Sequence, residues 1–333
     1  MLIHFWGVRG SLPTPITPHQ VQSKIMAAVQ RITVDDIKDE ESRAKFVSSL
    51  PSWIFGTAGG NTTCVEVKSL GNELIFDAGT GIRVLGKSGN LPKDNIYNLF
   101  FTHFHWDHIQ GLPFFDAAYN PNSEFNIYSP SEETKELLEK QMNQPYYPVP
   151  FSALTKKMNF MTLVPGNAIN IGKTQIVCCP MSHPGTSYSY AVIENNKKFV
   201  FATDVELNSK DFDDSPLKEM IFKNADCLVI DSQYTAEEAY RKQNWGHSAF
   251  CYAVDFAVHW GIKNLYLFHH EPTYDDKKLY SIVQAARWYA QYIAHEDLHI
   301  DLAKEDMEIE LWFQCENQMK KNSLYHIILL QKK

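Results

Sequence analysis

The sequence predicts an α/β (α+β) protein, and three observations carry the prediction. Short apolar runs of strand character, such as Tyr97-Asn98-Leu99-Phe100-Phe101 and Lys198-Phe199-Val200-Phe201-Ala202, recur along the 333 residues with turn signals between them. Segments of helical spacing, such as residues 131–141 and 275–294, are interleaved with these runs. The histidines and aspartates best suited to chemistry fall at the C-terminal ends of strand-like runs, where a layered sheet assembles a site.

Composition narrows the class. The length can bury a large core and allows one domain or two. A hydrophobic content of 44% with 21% charge argues against wholesale disorder. The net charge of −8 argues against a dedicated nucleic-acid surface, although a local basic groove is compatible with it. Residues 1–6 are too short an apolar stretch for a signal peptide, and no run approaches a membrane span. The cysteines at 64, 178, 179, 227, 251 and 315 show no CxxC pairing and sit mostly in apolar runs, as buried reduced thiols do. The expectation is a soluble, cytoplasmic protein that needs no membrane and could form a homodimer.

Taken in order, residues 2–6 read as a first strand, and Pro13, Pro15 and Pro18 then interrupt regular structure. From about His19 to Leu50 the pattern is helical, with Val21, Ile25, Ala28, Val29 and Ile32 on one face and a more acidic helix over 35–47. This block, 17–56, carries no chemistry-bearing cluster and reads as an insertion packed against the body, as a wall or lid. Strands follow at 64–67 and 74–76. The second ends at Asp77-Ala78-Gly79-Thr80-Gly81. Asp77 could orient a metal-bound histidine from behind or cap the helix that begins near Ile82. After residue 115, strands are expected at 125–128, 159–164, 168–171, 174–180, 188–194, 197–203, 226–230, 264–268 and 307–312, and helices at 131–141, 248–260 and 275–294. Residues 313–333 read as a C-terminal extension of a single domain.

The densest chemistry is His103-Phe104-His105-Trp106-Asp107-His108, just past the strand at 97–101. His103 and His105 alternate, so an extended chain points them to one side. Asp107 and His108 come after the chain has turned and can reach a second point nearby. Three of the 13 histidines within six positions is a poor fit to a chance polar loop. His183, Asp204 and His269 each follow another strand-like run. Together they complete two sets of three ligands that share an acid, Asp204, whose two oxygens can serve two ions. Imidazole with carboxylate suits Zn²⁺ first, with Mn²⁺ or Fe²⁺ as alternatives.

With these residues the sequence resembles the metallo-β-lactamase superfamily over nearly its whole length. The HxHxDH motif is His103, His105, Asp107 and His108, and the later ligand motifs are His183, Asp204 and His269. The resemblance implies a four-layer αββα sandwich with two divalent ions at its open edge. Asp204 is unlike the cysteine of class B β-lactamases, and the histidine pattern is unlike that of flavodiiron proteins. Gly59-Gly60-Asn61-Thr62, Asp77-Ala78-Gly79-Thr80-Gly81, Trp245-Gly246-His247-Ser248 and His269-His270-Glu271-Pro272 are similar to the phosphodiesterase-like branch, which includes cyclic-nucleotide and cyclic-phosphate phosphodiesterases and tRNA 3′-processing endonucleases. Two departures from that branch stand out: the block 17–56 enlarges a short loop, and Glu271 stands where aspartate is usual.

The function this implies is metal-dependent hydrolysis of a small, cyclic-nucleotide-like phosphodiester, with two ions sharing a hydroxide roughly 3.5–4 Å from ion to ion. Asp107, His247 and Asp231 form the catalytic set. His247 donates the proton to the leaving oxygen, Asp231 holds its ring, and Ser248 caps the following helix. A carboxyl-ester, lactone or thioester hydrolase would use the same metals. A tRNA 3′-processing endonuclease is a third reading, opposed by the absence of a basic arm to grip RNA. Phe114, Phe115, Tyr146 and Tyr147 are candidates for a specificity wall, with core packing expected of the two phenylalanines.

Overall fold

The computed structural model describes residues 1–89, 91–293 and 297–311. The expected extension at 313–333 lies outside the described residues, as do Cys315 and the predicted strand's last residue, Trp312. In chain order the elements are β1 (Leu2–Gly7), α1 (Pro18–Val29), α2 (Glu40–Ser49), α3 (Ser52–Phe55), β2 (Cys64–Ser69), β3 (Asn72–Phe76), α4 (Gly81–Lys87), β4 (Ile96–Phe100), α5 (Trp106–Ile109), β5 (Glu124–Ser129), α6 (Thr134–Gln141), β6 (Met158–Thr162), β7 (Ile169–Ile171) and β8 (Thr174–Met181). There follow β9 (Ser187–Glu194), β10 (Lys197–Ala202), α7 (Pro216–Phe222), β11 (Cys227–Asp231), α8 (Ala236–Arg241), α9 (Phe250–His259), β12 (Asn264–Phe268), α10 (Asp276–Tyr292), β13 (His299–Leu302) and β14 (Glu308–Glu310).

The strands form two seven-stranded mixed sheets, β14-β1-β2-β3-β4-β5-β6 and β13-β12-β11-β10-β9-β8-β7. In each, four consecutive strands are parallel, β3 to β6 and β10 to β13. Their C-terminal ends therefore share one rim, which is where the candidate ligands fall.

Three apolar clusters build four layers. The middle one, between the sheets, is filled by inward residues of both, including Phe5, Phe76, Phe100, Tyr190, Phe201 and Phe268. A second packs Ile82, Leu85, Leu112 and Leu138 against the outer face of the first sheet. A third packs Val254, Phe256, Ile282 and Val283, from α9 and α10, against the second. This is the αββα sandwich. Parallel strands buried on both faces must be apolar throughout, and Cys227-Leu228-Val229-Ile230 is an instance.

Several expectations change. The apolar residues of α1 do not face the body: Val21, Ile25 and Val29 are exposed, and the helix buries no residue. The segment instead touches the fold through α3, which packs on α10, and through Lys24 of α1, whose ammonium pairs with Asp276 of α10 at 2.5 Å. Ser248 does not cap α9; Ala249 precedes that helix, and the Ser248 hydroxyl donates to the Val205 carbonyl at 2.5 Å. Phe115 is core as expected, but Phe114 is half exposed and meets Tyr147 edge-on. The final strand shortens to β14, and α7, α8 and β13 were not anticipated. Cys64, Cys178, Cys179 and Cys227 are buried free thiols and Cys251 a half-buried one. No helix among the described residues is long and apolar enough to cross a membrane.

Candidate metal centre

Five strand ends meet at the shared rim. The loop after β4 brings His103, His105, Asp107 and His108; β8 leads to His183, β10 to Asp204, β11 ends in Asp231, and β12 leads to His269. Three of the residues turning away from strand ends, Asp77, Asp204 and His269, have φ of 60°, 50° and 59°. That left-handed conformation costs a non-glycine residue on the order of 1–3 kcal/mol and persists only where the surroundings impose it.

Two groups result. His103, His105, His183 and Asp204 form one, and Asp107, His108, Asp204 and His269 the other, with one side-chain nitrogen or oxygen from each residue of a group lying within 4.8 Å of the rest. Asp204 belongs to both. Its Oδ2 lies 3.5 Å from His103 Nε2, and its Oδ1 lies 3.2 Å from His108 Nε2 and 3.1 Å from His269 Nδ1. The two oxygens thus face different groups.

The ring orientations are set from behind. Asp77 accepts from His108 Nδ1 at 2.8 Å, so of the two roles open to it the structure selects the orienting one; Thr80, not Asp77, precedes α4. Thr102 Oγ1 donates to Asp77 Oδ2 at 2.7 Å and so is left to accept from His103 Nδ1, 3.1 Å away. The Gly246 carbonyl accepts from His183 Nδ1 at 2.9 Å. Each of these contacts puts the proton on Nδ1 and leaves Nε2 with its lone pair. Two glycines make room: a Cβ at Gly10 would strike the His269 ring, and one at Gly246, whose φ is +91°, would strike His183.

Burial and neighbours shape the charges. Burial pushes the Asp204 pKa up, but His108, His269 and His103 outweigh it and hold the carboxyl well below its ordinary value. Burial lowers His103 well below its ordinary pKa, with His108 adding to the effect, so it offers a neutral imidazole. Burial also lowers His108, but Asp204, Asp107 and Asp77 outweigh it and raise the ring well above.

His247 and Asp231 stand beside these groups. His247 Nδ1 is 2.6 Å from Asp231 Oδ2, and its ring centroid is 4.8 Å from that of His269 and 5.6 Å from that of His183. Burial works against charge on this imidazole, yet Asp231 raises its pKa to about 9. Asp231, His247 and His269 also converge closely enough to form a third group of potential ligands.

Sequence reasoning missed Thr102 and Glu206. Glu206 Oε1 accepts from the backbone N–H of Asn244 at 2.8 Å and Oε2 from that of Gly246 at 2.9 Å, while its own N–H donates to the Ser182 carbonyl at 2.8 Å. One side chain thus ties the segment after Asp204 to the turn before His247 and to the residue before His183. Its position two residues past a strand-end ligand was the only signal, and that spacing is common. Glu271 joins neither group and lies 3.5 Å from Lys242.

The donor set fits a metal. His103 Nε2, His108 Nε2, His269 Nε2 and Asp107 Oδ2 are buried without a hydrogen-bond partner, a costly arrangement for atoms that converge on one another unless a cation satisfies them. An αββα sandwich with such a cluster on its rim is the architecture of a metal-dependent hydrolase. Residues 72–270 match the beta-lactamase superfamily domain, and the chain belongs to that family. The Ribonuclease Z of Prochlorococcus marinus strain MIT 9515 is 26% identical over 282 residues, covering 67% of this chain and 89% of that protein. Among solved structures, the metallo-beta-lactamase fold protein YhfI from Bacillus subtilis aligns with a TM-score of 0.62 at 14% identity, over 92% of this chain and 98% of that one. A diphosphatase from the PhnP family aligns at 0.59 and 15% identity, over 93% and 98%.

Proposed function

We propose that this hydrolase cleaves a phosphoric diester with two divalent ions, zinc first among them. His103, His105 and His183 would hold one ion and Asp107, His108 and His269 the other, with Asp204 contributing an oxygen to each. When bound, the ions supply Lewis acidity, offsetting phosphate charge and making water nucleophilic near neutral pH. The chain's own groups do the rest. Asp77, Thr102 and Gly246 fix the imidazole tautomers, His247 gives a proton to the leaving oxygen, and Asp231 keeps that proton on the far side of the ring.

The observation that carries this reading is the Asp231–His247 pair set against two ligand groups that divide the oxygens of one carboxylate. An alkoxide leaving group needs a proton, and a phosphoryl centre, unlike a lactone or thioester carbonyl, brings anionic oxygens for two ions to hold. The net charge of −8 opposes a polyanionic RNA more than a singly charged small diester. The Ribonuclease Z relatives favour a second reading, endonucleolytic cleavage of an RNA. We read residues 1–333 as one metallo-hydrolase domain with 17–56 inserted and 313–333 appended, and the reduced thiols as fitting a cytoplasmic setting.

The test is turnover of bis(p-nitrophenyl) phosphate, cyclic nucleotides, a precursor tRNA, a lactone and a thioester by protein loaded with defined metals. Diester hydrolysis should exceed the other activities. Efficient lactone or thioester cleavage with every diester inert overturns the reading, and cleavage of the precursor tRNA alone selects the second.

A further inference from the structure

Residues 8–10 carry the chain of β1 past its end and between the two sheets. On one side the N–H groups of Val8 and Arg9 donate to the Asn61 carbonyl at 3.0 and 2.9 Å, just before β2. On the other, the His270 N–H donates to the Val8 carbonyl at 3.0 Å and the Gly10 N–H to the His270 carbonyl at 3.3 Å, just after β12. Gly10 then touches two parts of the candidate centre. It lies so close to the His269 imidazole that a Cβ there would fall on the ring. Its carbonyl accepts from Gln233 Nε2 at 3.2 Å, and the Gln233 N–H donates to Asp231, the carboxylate that holds His247. One backbone segment backs a proposed ligand and the proposed proton donor together.

Arg9 holds this segment in place, and it does so through carbonyls rather than a carboxylate. The residue is 3% exposed. Its Nε donates to the Gly59 carbonyl at 2.9 Å, and its Nη1 to the carbonyls of Glu271 at 3.1 Å and Tyr274 at 2.9 Å. The acids nearby serve other groups: Asp276 takes Lys24 and the Ala58 N–H, Glu305 takes Asn61, and Glu271 lies against Lys242. Burial lowers the pKa of the guanidinium, and Asp276 is first among the carboxylates that oppose the shift. A buried cation without a partner carboxylate is a costly choice for packing alone. What a guanidinium adds is direction, since its N–H groups are fixed in one plane, whereas the ammonium of lysine swings on a flexible stem. Here that plane joins the turn before β2 to the loop that follows His269.

We infer that Arg9 is a positioning residue for the metal centre: it clamps the loop after His269 to the turn before β2 and so keeps Gly10 pressed against the His269 ring. The inference rests on the metal reading above. His269 Nδ1 lies 3.1 Å from Asp204 and Nε2 lies 3.4 Å from Asp107, but the ring also converges with Asp231 and His247. Two sets of partners therefore compete for one imidazole, and the backing at Gly10 decides between them. Without Arg9 the ring is free to turn toward Asp231. The ion assigned to Asp107, His108 and His269 then loses a ligand, while the ion assigned to His103, His105 and His183 keeps all of its own.

The test uses the full chain loaded with Co²⁺, whose visible absorption reports ligand geometry, in wild type, Arg9→Lys and Arg9→Ala. Chelator competition should show one of the two ions held roughly 10–100-fold more weakly in both variants, with the other unchanged. The Co²⁺ bands should change for the weakened ion only. Millimolar guanidinium should restore tight binding to Arg9→Ala, and ammonium or urea at the same concentration should not. Should Arg9→Ala not fold, Arg9→Lys, which keeps the charge and loses the planar fork, carries the comparison. Two ions bound as in wild type with unaltered bands would overturn the inference alone. So would a parallel weakening of both ions, which is what a merely structural residue would give. A wild-type chain that takes up no more than one ion overturns the two-ion reading, and the role of Arg9 with it.

Discussion

Oδ2 of Asp231 accepts from His247 Nδ1 at 2.6 Å, while Oδ1 of the same carboxylate accepts from the backbone N–H of Gln233 at 3.1 Å and of Ser248 at 3.2 Å. With both oxygens tethered, the carboxylate cannot swing, and the ring it holds is fixed in tautomer and direction. His247→Ala should keep its metal and lose on the order of 10²–10⁴ in turnover of an alkyl diester. The loss should shrink for bis(p-nitrophenyl) phosphate, whose leaving oxygen needs no proton. A donor with its pKa near 9 works below that pH and fails above it, and bound cations can only lower the limit. The high-pH limb of the rate profile should therefore lie at or below about 9 and move lower in Asp231→Asn. Equal losses on good and poor leaving groups would exclude the donor role.

Asp204 is the residue whose removal should cost the most metal. Elemental analysis of the loaded chain should give close to two ions, and Asp204→Ala should fall further below that than any single histidine variant. A wild-type content of no more than one ion at saturating metal would contradict the two-ion centre.

Glu206 should act at a distance from the chemistry. Glu206→Gln keeps the length of the side chain but can accept through only one atom, leaving the N–H of Asn244 or Gly246 unmet. Because the Gly246 carbonyl orients His183, the variant should bind one of the two proposed ions roughly 10–100-fold more weakly in a chelator competition, with the fold intact by circular dichroism. Gly246→Ala should do worse, since the added methyl collides with His183 at a backbone angle that favours glycine. Unchanged affinity for both ions in Glu206→Gln would show that the turn holds its shape without the carboxylate.

Glu73 predicts a pH dependence of stability far from the rim. Burial, with Glu66 beside it, raises its pKa from 4.5 to about 8. The folded state therefore holds this proton more tightly than the unfolded chain does. The resulting stabilisation is complete below pH 4.5 and fades as pH rises through 8. Urea unfolding should show wild type losing more stability than Glu73→Gln between pH 5 and 9, by an amount on the order of a few kcal/mol at most. Parallel loss in the two proteins would rule out Glu73 as the source.

The sequence made the rim legible because strand ends and ligands coincide there. His103 to His108, His183, Asp204 and His269 each follow a run whose apolar character survives inspection of one chain, and the structure brings them together at that rim. Asp231 was legible for the same reason. The parts that escaped depend on contacts between segments distant in sequence. Glu206 meets Asn244 and Gly246 some 40 positions away, and nothing in Val205-Glu206-Leu207 announces it. The face of α1 misled because amphipathic spacing reports that a helix has an apolar side, not that the body covers it. Ser248 misled because a serine before a helix is a common cap, and here a tertiary partner, Val205, takes the hydroxyl instead.

The ligands come from both sheets: His103 to His108 follow a strand of the first, and His183, Asp204 and His269 follow strands of the second. Each proposed ion would therefore be a rivet through the seam between two layers joined elsewhere by apolar packing and by a few buried polar ties, such as Tyr190 Oη to the Phe101 carbonyl and Ser69 to Glu194. Metal loading and docking of the sheets then become one equilibrium. A chelator would not only stop turnover but loosen the seam from its rim, while the phenylalanines deeper in hold it shut. Neither half of the chain, expressed alone, would carry a finished centre, so the protein cannot be divided into a part that binds metal and a part that folds.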